Sequence, residues 1–531
     1  MLRKILATAL VLMMALAGTA VAETAAFNAE GYPIVNEPVT LRVLVGNSAA
    51  SPADYNDLQI IQEIEQKTGI HIEWIMAGSG LTEKRSVMLA TGDLPDIILK
   101  DVTATELVTY GENGTFIPMQ DLIKQYAPNV TALFEKTEGL EGFVTAPDGN
   151  IYGVPRMNAA PWTKTNGIGM INTKWLENLG LEMPTTIDEF YNVLKAFKEQ
   201  DANQNGDPAD EIPMAFGKWL NSGVTTLSDV NGISYLMSAF GVPMGIEYMD
   251  VRDGKVTCVA TTENYKQGIA YLSKMYAEGL IDIESFTMSR EQLDAKISQI
   301  PYSVGYIQGW DIADEFSTDD AKDNYGFMPP LKGVDGSDPV IYQVPLYGIS
   351  RGACVITSAC QYPEAAMRWI DTLYDTLISV QICEGPIGVR VGENGDGTYE
   401  VLPAPEGMNS TQWKDGNALG GYGAFAITPD TFTNVLRFPA TDAKVAFMTE
   451  HMDPYADTEA FPSVYYTVAE SEEVALLRTD LLSYIERRAS DWIMNGGIEE
   501  QWDGYVSELG AMGLNRLMEI NQAAYDRYIG K

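Results

Sequence analysis

The sequence predicts an α/β protein built as two lobes, and three observations carry that expectation. Strand and helix patterns alternate as βαβα early in the chain, which argues for a parallel sheet with helices on both faces. Setting residues 1–22 aside leaves about 509 residues, more than one hydrophobic core normally supports. The 46% apolar and 10% aromatic content is ample to fill two cores. No internal repeat and no linker rich in Pro, Gly or Ser interrupts the chain, so the lobes are expected to be joined by several backbone crossings.

The elements follow in order. Arg3 and Lys4, the apolar run 5–18 and Ala20-Val-Ala22 read as a secretory signal peptide over 1–22. The run is too short for a membrane anchor, and nothing later is long and apolar enough to cross a bilayer. Leu16-Ala17-Gly18-Thr19 is similar to a lipoprotein cleavage box, but Thr19 stands where the lipid-bearing Cys would be. The expectation is a periplasmic or extracellular protein without a lipid anchor or direct membrane insertion. Residues 38–45 alternate apolar and polar into a strand, 57–67 read as a helix, 71–76 as a second strand and 83–90 as a second helix, leading to the apolar strand Ile97–Leu99. Thr186-Ile-Asp-Glu189 is a capping box, and Ile187, Phe190, Leu194 and Phe197 follow at helical spacing. Helical stretches recur at 265–278, at 363–374 and from Thr467 onward, the last opened by a second capping box, Thr467-Val-Ala-Glu470. Asp253-Gly-Lys255 and Asn394-Gly-Asp-Gly397 read as hairpin turns.

A formal charge of −38 excludes nucleic-acid binding through a general field and disfavours an anionic membrane surface. Cys258, Cys354, Cys360 and Cys383 are an even number in an exported chain; two disulfides and four buried thiols both remain open.

Asp201-Ala-Asn-Gln-Asn-Gly-Asp-Pro-Ala-Asp-Glu211 places oxygen-bearing side chains at Asp201, Asn203, Asn205 and Asp207, with Gly206 free to turn and Asp210-Glu211 able to close the far side. Only oxygen donors are on offer, which suits Ca²⁺ better than a transition metal. The twelfth position is Ile212 where an EF-hand carries a bidentate Glu, and a plain solvated Asn/Asp/Gly turn fits the same residues. Catalytic signals are thin. Gly348-Ile-Ser350-Arg-Gly352 matches a nucleophile elbow in letters, but it leads into the apolar run 353–356 rather than a helix. His71 and His451 are the sole histidines, and His451 alone follows the serine. No phosphate loop or dinucleotide fingerprint is present.

Nine Trp and 27 Tyr invite a carbohydrate reading, since sugar rings present apolar faces to flat side chains. Trp175, Trp369, Trp492 and Trp502 sit among apolar helical neighbours and read as core, and Trp74 lies in a strand. Trp162, Trp219, Trp310 and Trp413 lie in loop contexts, where ligand contact is the competing explanation.

Several stretches in order resemble the extracellular solute-binding proteins of ABC transporters, family 1, in the larger oligosaccharide-binding branch. They are Ala90-Thr-Gly-Asp-Leu-Pro-Asp96, Asn113-Gly-Thr-Phe-Ile-Pro-Met-Gln-Asp-Leu122, Tyr126-Ala-Pro-Asn129, Asp148-Gly-Asn-Ile-Tyr-Gly-Val-Pro155, Trp175-Leu-Glu-Asn-Leu-Gly-Leu-Glu-Met-Pro-Thr-Thr-Ile-Asp-Glu-Phe190 and Pro363-Glu-Ala-Ala-Met-Arg-Trp-Ile-Asp371. Trp502-Asp-Gly-Tyr-Val506, Met512-Gly-Leu514 and Ala524-Tyr-Asp-Arg-Tyr528 complete the set. The resemblance implies the type II periplasmic-binding-protein fold, with α/β lobes joined by hinge strands around a central cleft. Lobe I would span 23–168 and 339–425, lobe II 169–338 with the loop 201–211, and a C-terminal helical segment 426–531 would pack across both. It implies a monomer that captures an oligosaccharide and delivers it to permease subunits, without catalysis. A secreted carbohydrate-active hydrolase, a peptide binder and a sensor input are the competing readings.

The family's calcium loop, Asp-x-Asn-x-Asn-Gly-x-x-Asp-Glu, matches Asp201, Asn203, Asn205 and the Asp210-Glu211 pair, with one extra residue here before that pair. In such proteins the ion is structural. Ser303-Val-Gly-Tyr-Ile-Gln-Gly-Trp310 is similar to the strand and turn that place a stacking Trp in the cleft, and Tyr325-Gly-Phe-Met-Pro-Pro330 fits the next strand. Trp310 is thus the leading ligand contact, with Trp162, Trp219, Trp413 and Arg156 as further candidates.

Overall fold

The computed structural model describes residues 27–530 except 166, 218, 222–223, 228–231, 246, 317–319, 344–345, 407, 409 and 458. The signal-peptide segment 1–22 lies outside the described residues. The first lobe is built on a six-stranded sheet in the order Ala426–Ile427, Val154–Asn158, Ile349–Ile356, Ile97–Leu99, Val39–Val45, Ile70–Met76. Val39–Val45 runs parallel to both Ile70–Met76 and Ile97–Leu99. The connecting helices Gln59–Thr68 and Leu81–Thr91 each stop at a glycine, Gly69 (φ 75°) and Gly92 (φ 76°), whose N–H bonds back to the last turn. Leu41, Val43, Ile97 and Leu99 bury one face of the sheet together with Trp369. Leu44, Ile98 and Val355 bury the other against Leu107 of helix Ala104–Glu112.

The sheet is mixed, where the early βαβα pattern predicts a parallel one. Ile349–Ile356 enters antiparallel between Ile97–Leu99 and Val154–Asn158. It reaches the sheet from the second lobe, so no helical crossover within the first lobe dictates its direction.

The second lobe is built on Tyr325–Phe327, Ile168–Asn172, Val304–Gly309 and Ile212–Met214, in that order. Both predicted capping boxes form: Thr186 with Glu189 opens helix Ile187–Glu199, and Thr467 with Glu470 opens helix Val468–Asn495. Trp175, Phe190, Phe197 and Tyr306 pack in a core that continues into Trp492 and Trp502 of the C-terminal helices. The long helical stretch expected after Thr467 is three helices, Val468–Asn495, Ile498–Ala511 and Leu514–Tyr528. Gly496, Gly497 and Gly513, all at positive φ, make the two breaks.

One boundary of the C-terminal segment needs correction. Ala426–Ile427 pairs with Val154–Asn158, so the first lobe continues past 425. The helices from 468 onward bury most of their apolar stripe in the second lobe's core, and helix Val468–Asn495 also packs beside helix Ala104–Glu112 of the first lobe. The preceding stretch reaches the first lobe through Arg351, which donates to the carbonyls of Val464 (3.0 Å) and Ser463 and lies 4.1 and 4.2 Å from the ring centres of Phe143 and Tyr465. The backbone crosses between the lobes at 159–167, at 328–348 and again after Leu436–Arg437. All four cysteines are free thiols, and burial pushes those of Cys258 and Cys360 up to about 12.

The hairpin Met249–Arg252/Lys255–Cys258 forms around Asp253-Gly254, both at positive φ. It is tied to the segment after helix Asp442–His451 by a buried carboxyl pair. Arg252 reaches Asp457 at 3.1 Å and Asp250 at 2.8 Å, and burial, reinforced by Asp457, raises the Asp250 carboxyl above the usual range. The folded state therefore holds a proton that the unfolded chain has released. That contribution is complete below the ordinary carboxylate range and is lost as pH rises through the raised folded value. Asp250→Asn is expected to remove this pH dependence and to raise the melting temperature above neutral pH. A melting series that falls equally with pH in both proteins would sink the assignment.

Candidate functional site

Trp310 follows directly on strand Val304–Gly309, whose last residue, Gly309, pairs with Ile168 at the end of the crossing 159–167. Its backbone N–H donates to the Glu315 carboxylate at 2.8 Å, and Glu315 is buried and paired with Arg290 at 2.7 Å. A Cβ on Gly309 would lie 2.4 Å from that carboxyl group, so any larger residue would displace the Glu315 anchor. The anchoring leaves the residue 37% exposed. Lys444 of helix Asp442–His451 lies 5.6 Å from the ring centre and donates to the Trp310 carbonyl.

Arg156 stands at the other end of the same crossing, in strand Val154–Asn158 of the first lobe. Its Nη1 donates to the Gly421 carbonyl, its guanidinium lies 5.9 Å from the Phe425 ring, and its Nε is buried without a protein acceptor. Lys100 follows strand Ile97–Leu99, two positions along the same sheet, with its ammonium 4.1 Å from the centre of the Tyr422 ring. Lys100 and Asp101 both hold left-handed backbone (φ 70° and 57°), a conformation bulky residues seldom keep without tertiary support. That support comes from hydrogen bonds of the Lys100 and Val102 N–H groups to the Ala353 and Gly352 carbonyls. The Tyr422 ring covers Gly46, where a Cβ would meet it at 2.8 Å. Arg156, Lys100 and Tyr422 thus form a polar and aromatic wall at one edge of the first lobe's sheet, with Lys100 at the carboxyl end of its strand, the usual position of ligand sites in open α/β sheets.

The remaining candidates are distributed around these two walls. Trp162 sits in the 3₁₀ turn Pro161–Thr163 of the crossing, edge-on to Phe432 (5.4 Å) and Phe438 (5.1 Å), with the turn packed beside helix Asp442–His451. Part of its surface is therefore spent on packing. Trp413, expected in a loop, lies in the short helix Ser410–Asp415 and forms one side of a cavity of about 410 Å³ in the first lobe. Trp219 belongs to strand Trp219–Asn221, and its side chain is outside the described residues. Sequence reasoning missed Lys100, Tyr422 and Lys444; Lys100 was findable, as the first residue beyond a parallel strand.

Asp201–Glu211 links the end of helix Ile187–Glu199 to strand Ile212–Met214. The Asp201 carboxylate accepts from the N–H groups of Asn205 and Gly206, both at 3.0 Å, with Gln204 and Gly206 at positive φ. Asp210 draws the amides of Asn203 (3.1 Å) and Asn205 (2.6 Å) toward one point, and Asp207 accepts from Ala209 at 3.1 Å. Glu211 receives Asn203 N–H at 3.3 Å through one oxygen, while its Oε2 is buried without a partner. Among the described residues no group of three His, Cys, Asp or Glu side chains is arranged as a metal cluster; this ring depends on the two Asn amides as well as carboxylates. The Asn203 and Asn205 amide oxygens accept from backbone N–H groups at 2.9 and 2.8 Å, while the all-oxygen donor chemistry and the orphaned Glu211 oxygen fit a hard cation. Ser350 lies inside a strand, opposite Arg156, and His451 lies tilted against Phe447 at 4.7 Å. The Gly348–Gly352 match is therefore a strand whose glycines admit close backbone, as at Gly352, where a Cβ would come within 1.8 Å of the Val102 carbonyl.

Residues 51–376 match the model of the bacterial extracellular solute-binding protein family. The fructooligosaccharide ABC transporter substrate-binding protein FusA of Streptococcus pneumoniae serotype 4 is 32% identical over 513 residues, 94% of this chain and 92% of its own. A structure of FusA from S. pneumoniae, an EF-hand mutant in complex with fructo-nystose, superposes with a TM-score of 0.78 at 31% identity, covering 92% of this chain and 99% of that one. An extracellular solute-binding protein from Bifidobacterium longum subsp. infantis gives a TM-score of 0.79 at 25% identity, covering 92% and 98%. These likenesses extend over both lobes and bear out the two-lobed type II fold. The chain belongs to the bacterial extracellular solute-binding protein family.

Proposed function

We propose that this protein captures an oligosaccharide outside the cytoplasm and delivers it to an ABC permease, acting as a monomer without chemical turnover. The observation that carries the reading is the exposed Trp310 at one end of the crossing 159–167, with the first-lobe wall of Arg156, Lys100 and Tyr422 at the other. Trp310 supplies a flat apolar face for a sugar ring, and the cations and phenol donate to its hydroxyls; lobe closure then excludes water and strengthens those bonds. The likeness to a fructooligosaccharide-binding protein supports this class of ligand. Trp162 lines the hinge side, and Trp219 is a further candidate from sequence alone. Calcium held by Asp201, Asn203, Asn205, Asp207, Asp210 and Glu211 would be structural, supplying only charge balance at a helix end. Thr19 in place of an acylable Cys supports a mature chain starting near Glu23 without lipid; an acylated N-terminus by mass spectrometry would refute that.

Calorimetry with kestose and nystose, paired with chromatography of the recovered sugar, tests the function. Saturable binding with the sugar recovered intact is expected. Release of free monosaccharide would favour the hydrolase reading, and absence of binding would reject this ligand class.

A further inference from the structure

We propose that the cavity beside Trp413 is a distal sugar subsite that sets how long a chain this protein prefers, with Arg390 as its positioning residue. The inference rests on the oligosaccharide reading and extends it to chain length. The cavity, of about 410 Å³, lies between Trp413 and Asn417 on one side and Ala49 and Ala50 on the other. Ala49 and Ala50 follow the carboxyl end of strand Val39–Val45. In the sheet order, that strand lies three positions from Val154–Asn158, beyond Ile349–Ile356 and Ile97–Leu99. Moving from Arg156 past Lys100 to Ala49 therefore covers three interstrand steps, about 14 Å along one wall. The two ends are linked by close contacts: Gly416 approaches the Ala50 carbonyl, and the Tyr422 ring beside Lys100 covers Gly46, four residues before Ala50. A linear oligosaccharide whose inner ring meets Trp310 and Arg156 would run along this wall and put a more distant ring against Trp413.

Trp413 is held in place by a buried ion pair. Arg390 is 3% exposed, bonds Glu384 at 3.0 Å and Ser410 Oγ at 3.3 Å, and lays its guanidinium 5.2 Å from the Trp413 ring centre. Its Nε and Nη1 are buried without acceptors, so desolvating this cation is not fully offset by its hydrogen bonds. The cation–π contact gives that arrangement a physical role: it fixes the plane of the tryptophan forming the cavity wall. The polar partners of Arg390 are Glu384 and Ser410 rather than Arg156, Lys100 or Tyr422, so its effect on binding should depend on ligand length.

The test is calorimetry of wild type, Trp413→Ala, Ala49→Trp and Arg390→Lys with the trisaccharide kestose and the tetrasaccharide nystose, each with a melting curve. Wild type should bind nystose about tenfold more tightly than kestose, as expected for one added aromatic contact. Trp413→Ala and Ala49→Trp should bring that ratio close to one; Ala49 is exposed, so its replacement fills the cavity without disturbing the core. Arg390→Lys, which keeps charge but loses the planar stack, should lower the ratio even where it also lowers the melting temperature. An unchanged ratio in Trp413→Ala and Ala49→Trp, or no length preference in wild type, overturns the subsite while leaving sugar binding intact. Failure of wild type to bind either sugar rejects this ligand class and the subsite with it.

Discussion

Chelating the mature protein is expected to lower its melting temperature by about 2 °C or more, with full recovery on adding Ca²⁺. The cation binds the folded loop and finds no preformed site in the unfolded chain, so it stabilises by mass action, about 2.7 kcal/mol when present at a hundred times its dissociation constant. Asp201 is the residue to remove. Its two oxygens already organise the turn through Asn205 and Gly206, so Asp201→Ala loses both a ligand and the turn that presents the others. The variant should melt like the chelated wild type and ignore further chelator. A melting curve of calcium-loaded wild type that chelator does not move would leave the loop as a solvated turn.

Trp310→Ala is expected to weaken oligosaccharide binding by about 2 kcal/mol or more, roughly thirtyfold, with little change in folding. The backbone N–H and carbonyl make the anchoring contacts to Glu315 and Lys444, and alanine keeps both. The ring is only partly buried, so its truncation should cost less than that of a fully buried core tryptophan. Calorimetry and a melting curve on the same variant separate the two roles. Unchanged affinity with a collapsed melting temperature would make Trp310 a packing residue and reject its place in the site.

Much of this was legible because local chemistry and pattern agree. The capping boxes at Thr186 and Thr467, the hairpin at Asp253-Gly254 and the apolar strand Ile97–Leu99 all depend on residues within a few positions of one another. The core assignment of Trp175, Trp369, Trp492 and Trp502 rested likewise on helical spacing beside apolar neighbours, and all four are buried. Other features needed contacts that sequence spacing does not carry. Trp162 looked free because Phe432 and Phe438, which share its surface, are far along the chain.

By itself, then, the sequence determined the element types, the two cores and the oxygen-rich loop, since each follows from periodicity, capping or ligand type over a short span, while the strand leading to Trp310 came from the family resemblance. Only the tertiary structure decided the antiparallel entry of Ile349–Ile356, the attachment of Ala426–Ile427 to the first sheet and the meeting of Arg156, Lys100 and Tyr422. The physical reason is common to all three. Strand direction and side-chain convergence are set by where the chain re-enters a sheet after crossing between lobes, and that return is governed by long-range packing rather than by any local preference.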